Sequence, residues 1–163
     1  MGKLTVLALR AVLVALLTGS VFVQTVMAAL LAADLEESGL ADRRVPILVI
    51  VVLGIVTAQI VLVSVWRLVT MVRRGTVFSH AAFRYVHIVI GAFLAASALV
   101  FALGVVLAPG EAVAPGIVLL LGGVSLAVFG IALVVLVLRM LLAQAVARDV
   151  EAARMRAELE EVI

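Results

Sequence analysis

The stretch that decides the fold is residues 88–108, which read IVIGAFLAASALVFALGVVLA. It contains no Asp, Glu, Lys or Arg, and its apolar side chains cover every face of a helix. A soluble helix instead buries one apolar stripe and exposes a polar face. The hydrocarbon core of a bilayer is about 30 Å thick, and about 20 helical residues cross it. The stretch therefore predicts a helix that spans a membrane.

Three further stretches have the same character, so we expect four spans, at about residues 11–33, 46–66, 87–108 and 117–138. The chain is 67% hydrophobic and 13% charged, which is far from the composition of a soluble domain. The sequence predicts an all-α membrane protein with a four-helix transmembrane domain, residues 1–138. We expect its helices to form a four-helix bundle of two antiparallel hairpins, with helix four extended into a cytoplasmic helical tail, residues 139–163.

The basic residues are unevenly distributed between the polar segments. Ten of the twelve lie in the N-terminus, in the loop between the second and third spans, or in the tail. Because cytoplasmic segments of membrane proteins are enriched in Lys and Arg, both termini should be cytoplasmic. Cleavage of the first apolar run as a secretory signal is the alternative. A signal's apolar region is about 7–15 residues long, and the run from Ala11 to Ala33 is longer.

The loop before the third span contains a helix stop followed by a helix start. Gly75 is suited to end the second helix in the left-handed conformation, and Ser79 to cap the third. Phe78 and Phe83 flank this cap with the spacing of a hydrophobic staple. The arginines of the loop set topology and could also bind anionic headgroups, at about 1 kcal/mol each.

The tail is rich in strong helix formers and contains no Gly or Pro, so the fourth helix should continue into it. Arg154 with Glu158, and Arg156 with Glu160, are four residues apart and can pair. An apolar stripe along this helix packs under the bundle or against a partner, unless the helix is simply solvated. The stripe consists of Leu138, Leu142, Val146, Val150 and Ala153.

Small residues in the spans are expected to let the helices approach closely. In lipid, helix association depends on close packing and on interhelical hydrogen bonds. Gln24, Thr25, Thr57 and Gln59 are expected to make such bonds, and a polar pathway through Gln24 and Gln59 is the functional alternative. The predicted helix-packing positions are Gly54, Ala58, Gly91, Ala92, Ala95, Ala96, Gly122, Gly123, Ala127 and Gly130.

The spans lack the residues that membrane enzymes and ion-coupled transporters use. They contain no acid or base to couple a proton, and the chain has no cysteine for redox or thiolate-metal chemistry. His80 and His87 share a helix face, but neither Cys nor a nearby carboxylate accompanies them. We therefore expect no catalytic residue, no metal site and no cofactor.

The turn Gly75-Thr76-Val77-Phe78-Ser79 and the charged helical tail resemble the bacterial membrane family named domain of unknown function 2975. The resemblance covers roughly Leu62 to Ile163, and the tail lacks the Asn and Thr expected in that family. The bias towards Ala, Val, Leu and Arg resembles that of an actinobacterial protein. Members are often encoded beside Xre-type helix-turn-helix regulators, so the resemblance implies a membrane partner that holds or senses such a regulator.

The first functional hypothesis is a non-enzymatic sensor or anchor in the bacterial inner membrane that binds a cytoplasmic partner. It does not require direct nucleic acid binding. The predicted docking residues are Arg73, Arg74, Arg148, Asp149, Glu151, Arg154, Arg156, Glu158, Glu160 and Glu161. In the first outer loop, Asp34, Glu36, Glu37 and Asp42 could sense a cation or peptide, or be simply solvated.

Two other hypotheses stay open. A small transporter or channel component would have a water-filled path lined by Gln24, Thr57, Gln59 and Ser64. A structural bundle would form a homo-oligomer through its glycine-rich faces.

Overall fold

The computed structural model describes residues 3–37, 39–73 and 80–162, and within these ranges all regular structure is helical. The first helix comprises α1 (Lys3–Phe22), a π-helical segment (Val23–Met27) and α2 (Ala28–Glu37). A 3-10 turn (Ala41–Arg43) leads into α3 (Arg44–Arg73), followed by α4 (His80–Leu107) and α5 (Pro115–Val162). The predicted four helices are present, each long and apolar enough to cross a membrane. They indicate a multi-pass membrane protein.

The helix ends follow local sequence chemistry. Pro46 lies in the first turn of α3 and Pro115 is the first residue of α5, where a missing N–H breaks no helical hydrogen bond. The first helix ends at Glu37, beyond the end of the predicted span at about residue 33. After α4, Gly110 has a φ of 95°, a conformation that glycine adopts without steric cost.

Within the described residues the helices contact one another in chain order, as an open row. α1 and α2 contact α3, α3 contacts α4, and α4 contacts α5. Among the described residues no comparable contact joins the first helix to α5. Lipid tails are as apolar as these side chains, so no hydrophobic driving force closes the row into a ring.

Small and polar residues are buried, while many large apolar side chains face outwards. Ala132 on α5 is only 1% exposed, whereas Leu119 and Leu126 on the same helix are 81% and 71% exposed. Ser97 on α4 and Ser125 on α5 are both buried. This distribution fits a protein whose outer surface contacts lipid, because small residues let helix backbones approach and lipid covers the large apolar ones.

Candidate functional site

The predicted docking residues of the tail lie on the exposed end of α5. This helix runs unbroken from Pro115 to Val162. Arg154 Nε lies 3.3 Å from Glu158 Oε1, the ion pair that their spacing predicts. Both side chains are largely exposed, so the pair adds at most a few tenths of a kcal/mol. The other exposed docking residues of the tail are Arg148, Asp149, Glu151, Arg156 and Glu160.

The apolar surface of the tail is uncovered. Val150, Met155 and Leu159 are 64%, 55% and 65% exposed. Of the predicted stripe, Leu138 and Leu142 line a cavity at the side of α4. In the stripe, Leu138 and Leu142 thus lie beside the other helices, Val146 is half-buried, and Val150 and Ala153 are exposed.

Several predicted positions lie outside the described residues. They are Arg74, Gly75, Phe78 and Ser79, together with the side chains of Arg73 and Glu161. Phe83, the second member of the predicted staple, is half-buried and lines the same cavity as Leu138. The turn, the cap and the docking role of the middle loop stay predictions.

The first helix and α3 are joined by an amide network beside the π-helical segment. Gln59 Nε2 donates to Gln24 Oε1 at 3.1 Å and to Ser20 Oγ at 3.2 Å. Ser20 Oγ in turn donates to the Leu17 carbonyl at 2.8 Å. The predicted interhelical hydrogen bonding of Gln24 and Gln59 is therefore present. A π-helical segment is often found at a functional position, and here it contains Gln24.

Three hydroxyls that were expected to bond between helices or to line a path instead bond within their own helix. Thr25 donates to the Val21 carbonyl at 3.0 Å. Thr57 donates to Leu53 O and Ser64 to Ile60 O, both at 2.7 Å. A Ser or Thr hydroxyl can satisfy itself on the carbonyl four residues earlier, so it needs no second helix.

The polar residues of the proposed path do not share one face of α3. Thr57 and Ser64 are seven residues apart, close to two helical turns, and both are buried. Gln59 is two residues from Thr57 and therefore points to nearly the opposite side, towards Gln24. A single path lined by all four predicted residues is not formed within the described helices.

A reciprocal serine pair joins α4 to α5. Ser97 Oγ donates to the Ser125 carbonyl at 2.9 Å, and Ser125 Oγ donates to the Ser97 carbonyl at 2.9 Å. The two hydroxyl oxygens lie 3.2 Å apart. Neither serine was among the predicted packing positions. The sequence could have indicated the pair, because the two serines are at similar distances from the loop between α4 and α5. If the two spans are antiparallel, these distances place both serines at the same depth.

Arg43, in the 3-10 turn before α3, connects that turn to the end of α4. Its Nη1 donates to Val106 O at 3.3 Å and also to Pro109 O. These carbonyls lie at the C-terminal end of α4, where a cation is favourable because helix carbonyls there lack partners. A Cβ on Gly110 would lie 3.9 Å from Arg43 Nη2, so the turn packs against the guanidinium.

The four acids that could sense a cation or peptide lie at the end of α2 and in the 3-10 turn. Glu36 pairs with Arg44, while Asp34, Glu37 and Asp42 are exposed. No group of three His, Cys, Asp or Glu residues that could hold a metal occurs in the described ranges.

Arg10, in the first half of α1, connects the first helix to the C-terminal end of α3. Its Nη2 donates to Thr70 Oγ1 at 3.3 Å, and its guanidinium carbon lies 5.4 Å from the centre of the Trp66 ring. A cation over an indole ring is attracted to it. Arg10 is thus held against α3 and not merely extended towards the headgroups.

None of the five predicted glycines lies in close contact with a neighbouring helix. A Cβ at Gly54, Gly91, Gly122, Gly123 or Gly130 would meet nothing within 4 Å. By contrast, a Cβ on Gly104 would lie 3.6 Å from Leu121 Cβ, so the close approach of α4 and α5 is at a glycine that was not predicted. Among the predicted alanines, Ala92 is buried, Ala96 is half-buried, and Ala58, Ala95 and Ala127 are exposed. A packing role for the open glycines remains a prediction about contacts with other chains.

The comparisons with known proteins agree with the resemblance seen in the sequence. The family model described as protein of unknown function (DUF2975) matches residues 30–163. The match extends beyond the expected range of 62–163, so it includes α3 and most of α2. No curated protein and no solved structure matches the chain. The chain therefore belongs to the DUF2975 family of proteins of unknown function.

Proposed function

We propose that this protein is a non-enzymatic anchor or sensor in the bacterial cytoplasmic membrane, and that its C-terminal tail binds a cytoplasmic partner. The observation that carries the proposal is the length of α5. Its 48 residues make a helix of about 72 Å, against a hydrocarbon core of about 30 Å. Since isolated helices gain little stability without tertiary packing, a tail exposed from Arg148 to Glu160 suits docking to another molecule.

The proposed topology places both termini in the cytoplasm and arranges the helices as two antiparallel hairpins. The distribution of basic residues supports the orientation. Contacts between Arg10 and Thr70 and between Gln24 and Gln59 run in opposite chain directions, which supports the first hairpin. The contact between Ser97 and Ser125, with Gly104 against Leu121, supports the second.

The chemistry of the tail defines the partner that suits it. Val150, Met155 and Leu159 offer exposed apolar anchors, and charges of both signs surround them. Such a helix fits an apolar groove with a polar rim on another protein. The family resemblance points to an Xre-type helix-turn-helix regulator as that protein, which would be held at the membrane or released on a signal.

A pull-down with detergent-solubilised protein tests the proposal. The full chain and a chain truncated after Arg139 are compared, and bound proteins are identified by mass spectrometry. Replacing Val150, Met155 and Leu159 with Ser should abolish capture of the partner. A matched control replaces the exposed alanines Ala147, Ala152 and Ala157 with Ser and should retain capture. If the truncated chain retains every specific partner, tail docking is wrong.

Self-association is a second candidate function, favoured by the open glycines. Gly122 and Gly123 lie on α5 with open space where a Cβ would be, so another helix can approach there. Replacing both with Leu should convert an oligomer to a monomer in native electrophoresis. The transporter alternative is less favoured because Gln59 and Thr57 lie on different faces of α3.

A further inference from the structure

A cavity of about 200 Å³ lies where α3, α4 and α5 meet. Leu68 precedes the middle loop and Phe83 follows it, while Leu138 ends the apolar run of the fourth span. The cavity therefore lies at the membrane boundary on the side of the middle loop. Its lining is almost entirely apolar, with one cation, and consists of Leu68, Phe83, Val86, Val135, Leu138, Arg139 and Leu142.

Arg139 lies half-buried beside this apolar lining. Its Nε is buried and has no hydrogen-bond partner in the described part of the chain. None of the other residues that line the cavity is acidic. A buried donor without an acceptor is costly and rare in folded proteins, so Arg139 indicates a group that arrives from outside the chain.

We propose that this cavity binds an anionic phospholipid, with a segment of one acyl chain among the apolar side chains and the phosphate on Arg139. An apolar cavity of roughly 150 Å³ can hold a benzene molecule, so this one has room for a short hydrocarbon segment. Arginine binds phosphate oxygens through two parallel N–H donors. The combination of an apolar lining and a single cation matches a lipid at the level of its headgroup.

An anionic phospholipid differs from the other candidate ligands because it would use both the apolar lining and Arg139. A free phosphate would use Arg139 and leave the apolar lining empty. A zwitterionic lipid would fill the cavity, but its cationic headgroup weakens attraction to the guanidinium. An anionic phospholipid satisfies the guanidinium and the apolar lining together. The proposal requires membrane insertion and is independent of partner binding by the tail.

Lipid retention by the full-length protein tests the site. Delipidated protein in detergent receives phosphatidylglycerol, phosphatidylcholine of the same chain length, or glycerol 3-phosphate, and native mass spectrometry counts bound molecules. The wild type should prefer phosphatidylglycerol, and Arg139→Gln should lower its retention about fivefold. Arg139→Lys should keep part of the preference. Arg148→Gln, at an exposed arginine further along α5, is the matched control and should retain the wild-type preference.

A second variant tests the apolar half, and thermal unfolding shows that each variant folds. Val135→Phe fills the cavity and should lower retention although Arg139 is unchanged. Phosphatidylglycerol should raise the melting temperature of the wild type but not of Arg139→Gln, because only a ligand of the folded state stabilises it. Equal retention in Arg139→Gln and Arg148→Gln would overturn the proposal. Equal binding of both lipids, or displacement of lipid by glycerol 3-phosphate, would also overturn it.

Discussion

At the scale of the residue, the most informative contacts are small and polar. Ser97 and Ser125 let two backbones approach and satisfy each other's hydroxyls and carbonyls in a buried position. In a lipid environment a polar side chain without a partner is expensive, so reciprocal pairing secures both helices. The pair shows how these spans can associate without any charged residue inside them.

We expect replacement of this pair to weaken the contact between α4 and α5. Ser97→Ala and Ser125→Ala should each lower the free energy of unfolding by about 0.6 kcal/mol, with a ceiling of about 1.7 kcal/mol. Unfolding in mixed detergent micelles, followed by circular dichroism, measures the change. Single variants that are as stable as the wild type would contradict the pairing, because each serine hydroxyl donates to the backbone carbonyl of the other residue.

Gly110 is a second position where one residue decides local structure. Its φ of 95° is unfavourable for residues with a side chain, so Gly110→Ala should cost about 1–2 kcal/mol. Gly116→Ala is the control, since its Cβ would meet nothing within 4 Å and alanine favours helix. Equal melting temperatures for Gly110→Ala and Gly116→Ala would show that a side chain at position 110 does not strain the turn.

At the scale of the element, side chains near the ends of the helices connect neighbouring helices. Arg43 bonds to carbonyls at the end of α4, and Arg10 lies against Trp66 and Thr70 of α3. Each contact is made near a helix terminus, where unpaired carbonyls or interfacial aromatic rings are found. In the middle of the spans, amide and hydroxyl side chains make the hydrogen bonds between helices instead.

We expect Arg43→Gln to loosen the end of α4. Loss of the cation removes the donor to Val106 and Pro109, so amide hydrogen exchange in the Gly104–Gly110 segment should rise. Arg44→Gln is the control, because Arg44 pairs with exposed Glu36 and such pairs contribute about 0–1 kcal/mol. If the two variants exchange equally, the contact between Arg43 and the end of α4 is not a stabilising contact.

The amide network predicts a difference between single and double substitutions. Gln24→Leu or Gln59→Leu alone leaves the other amide without this partner, so each should destabilise the protein by about 0.6 kcal/mol or more. The double variant replaces both amides with apolar groups and should be close to neutral. Unfolding free energies of the three variants measure this. Additive losses would indicate that the amides do not act as a pair.

At the scale of the whole molecule, the chain combines an open row of membrane helices with one long projecting helix. The row leaves apolar side chains such as Leu119 and Leu126 for lipid or for another chain. The end of α5 from Arg139 onwards carries nine charged residues, whereas the apolar run before it carries none. The proposed function assigns membrane location to the apolar helices and partner binding to this charged end.

The topology is testable on intact cells. Reporters that function only in the cytoplasm should be active when fused to either terminus, and a reporter inserted after Glu111 should be inactive, because the basic residues retain the ends inside. Replacing Arg67 and Arg84 with Glu should disturb this pattern. A reporter at each end giving opposite results would refute the proposed orientation.

The sequence by itself determined the four spans, the continuous tail helix and the family, because these depend on the length of apolar runs, on helix propensity and on local motifs. It also indicated Gln24 and Gln59, since amides are rare among apolar side chains. Only the tertiary structure decided that the helices form an open row, that Ser97 faces Ser125, and that Arg43 reaches α4. A span that is apolar on every side carries no stripe to show which face packs, so helix rotation depends on contacts between distant residues.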